Sequence, residues 1–360
     1  MGKLDIEIKI MTTTEAQPLV SFVIPSYNSG KFLRQTLESC LNQTYPNIEI
    51  LLINDGSTDN TDEILEEFKN VKNLHHIKNE KNEGIIYTLN RGMKLARGEF
   101  IARMDGDDIC LPERVQEQVN FFNKHPEIDV LGTDIIIIDE NNKKMGRPRE
   151  VITSQAEVEW SMISSCPVFH PTVMLRKNLL DQEPFASSTY FGSDKIAEDL
   201  GLWGRVLLAN KKIAVLNRPF LLYRKHSGSL TSGYASKQID MAVSIVSKFA
   251  QSKWTIKMTD SFLLNIRKRD QFSDRAFFIE AKSIINQLKN QGQRELALAA
   301  QIDIQLMCLS YLHFYFKNQK KNKMQATINT LVFVFSLNHL NTLPAAFFKF
   351  YRGILRRIIK

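Results

Sequence analysis

Short strand-like runs alternate with helical patterns between residues 19 and 175 of the chain. The runs, in which β-branched and large apolar side chains predominate, cover residues 20–24, 48–53, 74–77 and 100–104. The helical patterns between them cover residues 31–42, 61–69 and 83–96. Parallel strands need long crossover connections, which are usually helices. The alternation therefore predicts an α/β fold with a doubly wound, mostly parallel sheet.

The rest of the chain divides into a second α/β stretch and a helical region. The pattern predicts a strand over residues 129–138, a helix over 155–163, a strand over 170–175, a helix over 194–209, a strand over 213–216 and a polar turn over 223–231. Strand signals then disappear, and helix-compatible segments follow. We expect a leader or disordered segment over 1–18, an α/β domain over 19–235 and a basic helical C-terminal region over 236–360.

The charge of the chain is unevenly distributed. Residues 1–234 hold 27 Lys and Arg against 32 Asp and Glu, whereas residues 235–360 hold 20 against 7. The helical region therefore favours an anionic partner. The composition, 43% hydrophobic and 24% charged, excludes a disordered chain, a collagen and a polytopic membrane protein. Since no signal peptide and no spanning segment is recognised, we expect a cytoplasmic protein, soluble or peripheral on a membrane.

Acidic residues follow several of the predicted strands, and an acidic pair lies further along the chain. They are Asp55, Asp105, Asp107, Asp108, Glu198 and Asp199. Ligands of such sheets bind beyond the carboxyl ends of the strands, and carboxylates in a tight turn can hold a hard divalent cation that an anionic diphosphate needs. The alternative interpretation is that each is a turn or cap residue, or, for the last two, a solvated pair in the first turn of a helix.

The order of these motifs resembles family 2 of the nucleotide-sugar-dependent glycosyltransferases, which have the GT-A fold. The matching stretches are residues 20–28, 51–59, 82–84, 89–92, 96–108, 170–172, 198–199 and 223–226. Each stretch is a weak signal alone, but the ordered set is highly specific. The resemblance implies transfer of a sugar from a nucleoside diphosphate donor, a UDP-sugar in our interpretation, to an acceptor hydroxyl.

The resemblance also implies how the donor is bound. Pro25, Tyr27 and Asn28 would line the pocket of the nucleotide base, and Asp55 would accept a hydrogen bond from that base. Gly84 would lie close to the nucleotide.

Further residues would surround the diphosphate and the donor sugar. Arg103 would lie near the sugar, and Asp105, the first carboxylate of the family's D-x-D turn, near the ribose. Asp107, the last carboxylate of that turn, would bind Mg²⁺ or Mn²⁺, which neutralises the leaving diphosphate. His226 would complete the metal or diphosphate site, although a histidine in a polar turn is often merely exposed.

Asp199 matches the catalytic base of the family's Glu-Asp motif. A single in-line displacement assisted by this base inverts the anomeric configuration. Asp108, His170, Glu198 and Trp203 are candidates for contacting the acceptor or for supporting the site, and His170 can also be explained by packing. The signature of processive synthases is missing, so we expect one sugar to be transferred per encounter, to a glycan or lipid-linked saccharide.

The C-terminal residues form a basic amphipathic pattern. Residues 345–360 place four large apolar side chains at helical spacing, with Lys349, Arg352, Arg356 and Lys360 on another face. This pattern is typical of a helix that lies on an anionic membrane surface. A helix packed on the α/β domain is the alternative. Nucleic-acid binding is disfavoured because no recognised binding module accompanies the charge.

Two other functions are compatible with the pattern. A nucleotidyltransferase also uses acidic turns on a doubly wound sheet, but it normally has a glycine-rich loop after its first strand, where this chain has Pro-Ser-Tyr-Asn at residues 25–28. A non-catalytic glycan-binding or scaffold protein that retains the fold is the second alternative.

Overall fold

The computed structural model describes residues 17–147, 152–185, 197–226, 235–268 and 275–317. The strands are β1 (Val20–Ser26), β2 (Ile48–Asn54), β3 (Leu74–Lys78), β4 (Phe100–Arg103), β5 (Ile109–Cys110), β6 (Val130–Ile138), β7 (Lys144–Gly146), β8 (Met174–Arg176) and β9 (Ile213–Arg224). The helices are α1 (Gly30–Leu41), α2 (Thr61–Glu67), α3 (Ile85–Leu95), α4 (Arg114–Lys124), α5 (Gln155–Ser164), α6 (Glu198–Leu208), α7 (Ala235–Trp254), α8 (Asp260–Lys268), α9 (Arg275–Asn290) and α10 (Arg294–Lys317).

In the part of the chain that the structure describes, nine strands form one mixed sheet. Its order is β3-β2-β1-β4-β8-β6-β9-β5, with β7 paired to β6. The first four strands pair in parallel, as the alternating sequence pattern predicts. The sheet then continues through antiparallel pairs of β8 with β4 and β6, and β6 pairs in parallel with β9. The predicted α/β fold is therefore confirmed, with antiparallel strands at its second half.

Each face of the sheet is covered by helices. Side chains alternate between the two faces along a strand, so Phe22 and Ile24 of β1 contact the layer of α1, α2 and α4. Val23, between them, contributes to the core on the other face, which α3, α5 and α6 cover. This three-layer arrangement leaves the carboxyl edge of the parallel strands accessible for a ligand.

The helical region predicted after residue 235 is present as α7 to α10. It packs on α5 and α6, and its buried side chains belong to the same hydrophobic core as theirs. Trp160 of α5 donates from its Nε1 to Asp303 Oδ2 of α10 over 2.9 Å. The division into domains at residue 235 stays a proposal, since one continuous core spans that position.

Two local predictions are wrong. Residues His170–Thr172 form a short 3-10 helix before β8, not the first half of a strand. Pro171 has no amide N–H to donate, and the Thr172 hydroxyl turns back to the Phe169 carbonyl over 2.7 Å. The predicted polar turn also begins too early, because Tyr223 and Arg224 still belong to β9 and pair with Ile137 and Ile138.

Several sequence predictions fall on other parts of the chain. Residues 1–16 of the leader predicted over 1–18, the later part of the polar turn and the basic pattern at 345–360 lie outside the described residues. Among the helices that the structure describes, none combines the length and the hydropathy needed to cross a bilayer.

Candidate active site

The predicted site residues lie at the carboxyl edge of the parallel strands or beside it. Pro25 is near the end of β1, and Tyr27 and Asn28 follow that strand. The other loops that meet here hold Asp55, Gly84, Asp105, Asp107, Asp108 and His226. Arg103 is the last residue of β4, and His170 begins the short 3-10 helix before β8. Helix α6 begins with Glu198 and Asp199 and includes Trp203 one turn later. Strands distant in sequence end side by side, and this places the loops together.

Asp55, directly after β2, organises the loop that precedes α3. Its Oδ1 accepts hydrogen bonds from Asn79 Nδ2 over 2.7 Å and from the Glu83 amide over 2.9 Å. Its Oδ2 accepts one from the Gly84 amide over 2.9 Å. A carboxylate can accept about four hydrogen bonds, so one position remains for a ligand. Gly84 has φ of 91° and ψ of 161°, a backbone conformation that is accessible essentially to glycine alone.

The loop after β1 is held against the loop after β2. Asn28 adopts a left-handed conformation with φ of 51°, and its Oδ1 accepts a hydrogen bond from the Thr58 amide over 2.8 Å. Tyr27 beside it is 47% exposed, so its ring is available to a flat ligand such as a nucleotide base. Pro25 meets the acidic turn: a Cβ built on Gly106 would lie 3.4 Å from the Pro25 carbonyl oxygen.

The acidic turn between β4 and β5 is bracketed by two basic side chains. Arg103 donates from Nη1 to Asp105 Oδ2 over 2.5 Å, and His226 Nε2 lies 2.9 Å from Asp107 Oδ2. One carboxylate oxygen from each of Asp105, Asp107 and Asp108 lies within 4.8 Å of the others. Three carboxylates this close, with an imidazole at their edge, form a donor set that suits a hard divalent cation.

Burial and mutual repulsion act on these carboxylates. The pKa of Asp105 is raised by burial and by the charge of Asp107, while Arg103 opposes that shift. The pKa of Asp108 is raised well above its usual range, by burial first and then by Asp107 and Asp105. The Oδ2 of Asp108 is buried without a hydrogen-bond partner among the residues described. A bound cation would supply the missing positive charge, so the residues present fit a metal ion.

Arg224, at the end of β9, supports the acidic turn through hydrogen bonds. Its Nε donates to the Asp107 carbonyl over 2.7 Å, and its backbone amide donates to Asp108 Oδ1 over 2.8 Å. The guanidinium also donates to Gln35 Oε1 over 2.9 Å and lies above the Phe32 ring. Arg224 is fully buried, and burial lowers its pKa. The turn is therefore fixed by a planar side chain that forms several hydrogen bonds at once.

Glu198 and Asp199 open helix α6 beside the acidic turn. The preceding Ala197 has φ of 62°, a left-handed conformation that is costly for alanine. Burial, and then the charge of Asp199, raise the pKa of Glu198 to about 7. Asp199 also acts on the pKa of Asp105, so the helix and the turn lie within electrostatic range. Cys166 Sγ lies 3.6 Å from Asp199 Oδ2.

His170 and Trp203 lie behind this group of carboxylates. Their rings meet edge to face, with centroids 5.8 Å apart. Trp203 is fully buried and His170 is 7% exposed. Burial, with Arg103 nearby, lowers the pKa of His170 well below its usual range, so its imidazole is neutral at physiological pH. Both positions, like the fully buried Asp108, suit support of the site better than direct contact with an acceptor.

Three further residues near the site are absent from the sequence-based candidates. Asn79 follows β3 at the same edge, and applying the rule of strand ends to the third strand would have found it. Arg224 lies within a stretch that carries the family resemblance, but no local sequence signal indicates that an arginine at the end of a strand is buried. Cys166 reaches Asp199 through the tertiary fold, and no spacing in the sequence relates the two.

Comparisons with known proteins identify the family to which the chain is similar. The sequence model of glycosyl transferase family 2 matches residues 21–197. The chain is 32% identical to an uncharacterized glycosyltransferase of Haemophilus influenzae over 241 residues, which is 63% of this chain and 72% of that protein. It is 29% identical over 218 residues, 59% of this chain and 80% of that protein, to WfaP of Escherichia coli, a UDP-Glc:alpha-D-GlcNAc-diphosphoundecaprenol beta-1,3-glucosyltransferase.

The fold is also similar to a solved structure. Residues 1–349 of Staphylococcus aureus TarS, solved in complex with UDP-GlcNAc, superpose with a TM-score of 0.51 at 20% sequence identity. The match covers 88% of this chain and 90% of that one, so it extends beyond the α/β domain. It supports a GT-A fold followed by a helical region. Together, the family match, the relatives and the edge of clustered loops show that this chain is a member of glycosyltransferase family 2.

Proposed function

We propose that the protein is an inverting, metal-dependent glycosyltransferase that moves one sugar from a UDP-sugar to the hydroxyl of a glycan or lipid-linked saccharide. The observation that carries this proposal is that two acidic groups lie within electrostatic range of each other at one sheet edge. One is the turn of Asp105, Asp107 and Asp108, and the other is the start of α6. The first, when it holds a divalent cation, suits the diphosphate of a donor, and the second offers a base to the hydroxyl of the acceptor.

In this proposal the base is Asp199. Its carboxylate takes the proton of the acceptor hydroxyl while that oxygen attacks the anomeric carbon opposite the leaving diphosphate. An α-linked donor therefore gives a β-linked product. Cys166 lies against Asp199 Oδ2, and the Leu200 amide donates to Oδ1 over 2.7 Å, so the carboxylate is held in one orientation. Such preorganisation lowers the cost of reaching the transition state.

Asp107 and His226 would hold a Mn²⁺ or Mg²⁺ ion together with the other carboxylates of the turn. The ion, when bound, offsets the charge that develops on the leaving diphosphate. Arg103 and Asp105 stay paired next to it and would face the ribose and the donor sugar. Asp55, Gly84, Asn28, Tyr27 and Pro25 would form the pocket of the base.

The relatives narrow the substrates to be tested. The name of WfaP specifies UDP-Glc as donor and a GlcNAc linked to diphosphoundecaprenol as acceptor. The TarS structure contains UDP-GlcNAc. We propose UDP as the nucleotide and a polyprenol-linked saccharide, presented at the cytoplasmic face of a membrane, as the acceptor. The basic pattern at 345–360 would bind the anionic lipids of that surface.

The experiment combines donor binding with transfer. Thermal shift of the full chain with UDP-glucose, UDP-GlcNAc and other nucleotide sugars, each with and without Mn²⁺, identifies the donor, because a ligand that binds only the folded state raises its stability. UDP release is then measured with polyprenol-linked saccharides as acceptors. The anomeric configuration of the product is read by NMR.

Two variants, the configuration of the product and the activity of the wild-type chain decide the proposal. Asp199→Asn is expected to keep donor binding and to lose transfer, and Asp107→Ala is expected to lose the Mn²⁺-dependent shift. A product that retains the donor's configuration would contradict inversion. Unchanged transfer in both variants would show that the mechanism is wrong, and no transfer or donor binding by the wild-type chain would favour the scaffold alternative.

A further inference from the structure

Arg267 of α8 contacts the end of helix α5 in the α/β part of the chain. Its Nη1 donates to the carbonyl oxygens of Met162 over 2.9 Å and Ile163 over 3.1 Å. These carbonyls are in the last turn of α5, where helical partners are missing. A cation there also complements the negative end of the helix dipole. Arg267 lies outside residues 21–197, which match the family.

The end of α5 leads directly to the proposed base. The helix ends at Ser164, and two residues later Cys166 Sγ contacts Asp199 Oδ2 over 3.6 Å and the Val168 carbonyl over 3.3 Å. A displacement of the α5 end would therefore move the thiol that lies against Asp199. The contacts form one continuous chain from α8, through α5 and Cys166, to the carboxylate.

The charge of Arg267 acts on the same group. Burial lowers the pKa of the Arg267 guanidinium, and electrostatic interactions with Cys166 and Asp199 oppose that shift. A guanidinium remains protonated throughout the physiological range. Asp199 is thus within electrostatic range of a permanent positive charge from the helical region and of the carboxylates of Glu198 and Asp105.

A second basic residue of the helical region makes an equivalent contact with α6. Lys253 of α7 donates from Nζ to the Leu207 carbonyl over 2.8 Å and to Asn210 Oδ1 over 3.0 Å. Leu207 is in the last turn of α6, the helix that begins with Glu198 and Asp199. Helices α7 and α8 therefore each hold the carboxyl end of one helix that borders the proposed base.

We infer that Arg267 is a positioning residue for the transfer reaction. The helical region therefore contributes to the function of the active site. Arg267 holds the end of α5 so that Cys166 keeps the Asp199 carboxylate oriented toward the acceptor. This inference rests on the proposed role of Asp199 as the base. It assigns Arg267 an effect on the rate of transfer and none on the binding of the donor.

The test compares three substitutions in the full chain. Arg267→Gln removes the positive charge and the planar set of N–H donors, whereas Arg267→Lys keeps the charge. Lys268→Gln is the control, because it removes a positive charge from the exposed neighbouring position of α8. UDP release is measured with UDP-glucose or UDP-GlcNAc, whichever stabilises the chain in the thermal-shift experiment. A polyprenol-linked saccharide, or water alone, serves as the acceptor, and the rates give kcat and the donor KM. Isothermal titration gives the donor Kd, and circular dichroism gives Tm.

Arg267→Gln is expected to lower kcat by about 10-fold and to leave the donor KM and Kd within about 2-fold of wild type. Arg267→Lys should recover kcat to within about 3-fold, and Lys268→Gln should match wild type. An unchanged kcat in Arg267→Gln would overturn the inference. So would a loss that appears equally in kcat and in donor binding, because that is the result of general disruption.

Two further variants keep the test decisive. If Arg267→Gln does not fold, Cys166→Ala serves instead, because it removes the contact of Cys166 with Asp199. An unchanged kcat in that variant would also overturn the inference. Asp199→Asn is measured in parallel. If it retains kcat, the proposed base is wrong. If it loses kcat while the Arg267 and Cys166 variants do not, the proposed function stands and the inference fails.

Discussion

His226 Nε2 lies 2.9 Å from Asp107 Oδ2, although 119 positions separate the two residues. The sheet brings them together, because β9 ends beside β5, which follows the acidic turn. The same strand buries Arg224 beneath the turn. One long strand therefore supplies a support for the acidic turn, and the residue two positions after that strand places its side chain at the edge of the turn.

Asp107→Asn tests the proposed metal site. The substitution keeps the shape of the side chain and removes its charge, so the Mn²⁺-dependent part of donor binding should disappear. Because the ion's effect on a leaving group amounts to several kcal/mol, we expect kcat/KM to fall by about 100-fold or more. Thermal shift with UDP-sugar, with and without Mn²⁺, checks binding, and UDP release checks the rate.

Asp181→Asn is the matched control for this prediction. It removes one carboxylate from an exposed position of the short 3-10 helix after β8, outside the acidic turn. It should leave the Mn²⁺-dependent shift intact. An Asp107→Asn protein that still shows this shift would place the metal elsewhere.

Gly84→Ala tests the loop that surrounds Asp55. The site has open space for a Cβ, but φ of 91° makes alanine strained by about 1–3 kcal/mol. Relief of this strain would turn the Gly84 amide away from Asp55 Oδ2, so the Kd for the nucleotide should rise by about 10-fold. Gly292→Ala has open space and a positive φ of 77° in the helical region. It should lose stability and keep nucleotide affinity; equal Kd values for the two variants would contradict the prediction.

Glu198→Gln should change the pH dependence of stability. The pKa of this carboxyl is raised from 4.5 in the unfolded chain to about 7 in the folded protein. Because the pKa is higher in the folded protein, the carboxyl contributes fully to the free energy of unfolding below pH 4.5. This contribution is lost as the pH rises through 7. Removing the titration should therefore stabilise the protein at pH 8 by about 2 kcal/mol, or about 3 °C in Tm, with little change at pH 4.5.

Thermal unfolding at the two pH values measures this effect. Glu295→Gln, in the first turn of α10 and exposed, is the control, and its Tm relative to wild type should be the same at both pH values. A Glu198→Gln protein that is destabilised more at pH 8 than at pH 4.5 would reverse the predicted sign.

Arg224→Lys should weaken the support of the acidic turn. Lysine keeps the charge but cannot bond the Asp107 carbonyl, Gln35 and Asn142 at once. We expect a loss of about 2 kcal/mol in the free energy of unfolding and weaker Mn²⁺-dependent donor binding. Arg218→Lys, on the exposed part of the same strand, should change neither. Urea unfolding and thermal shift distinguish the two variants, and equal behaviour would contradict this role of Arg224.

The basic C-terminal sequence should bind anionic membranes. Flotation with vesicles containing phosphatidylglycerol compares the full chain with a chain that ends at Leu343. The shorter chain should lose most of its recovery, and high salt should reduce recovery of the full chain. Equal recovery of both chains would favour the alternative in which residues 345–360 pack on the α/β domain.

Much of the fold can be predicted from the local pattern of residues. The alternation up to residue 104 predicts β1 to β4 and α1 to α3 within a few residues, because hydrophobic periodicity and turn residues are local properties. Local periodicity does not predict the conformation at His170, where a proline and a threonine side chain form a short 3-10 helix. It also misses the second half of β9, which is stabilised by pairing with β6 and β5.

The chemistry of the site divides in the same way. The residues that follow each strand can be read from the sequence, so the positions of Asp55, Asp105 and Asp107 after β2 and β4 are predictable from the sequence alone. Partners far apart in sequence cannot, because a contact such as Arg267 with the end of α5 depends on how helices pack on the sheet. Packing also excludes water from Glu198 and Asp108, and that burial, which no spacing of residues records, raises the pKa of both carboxyls.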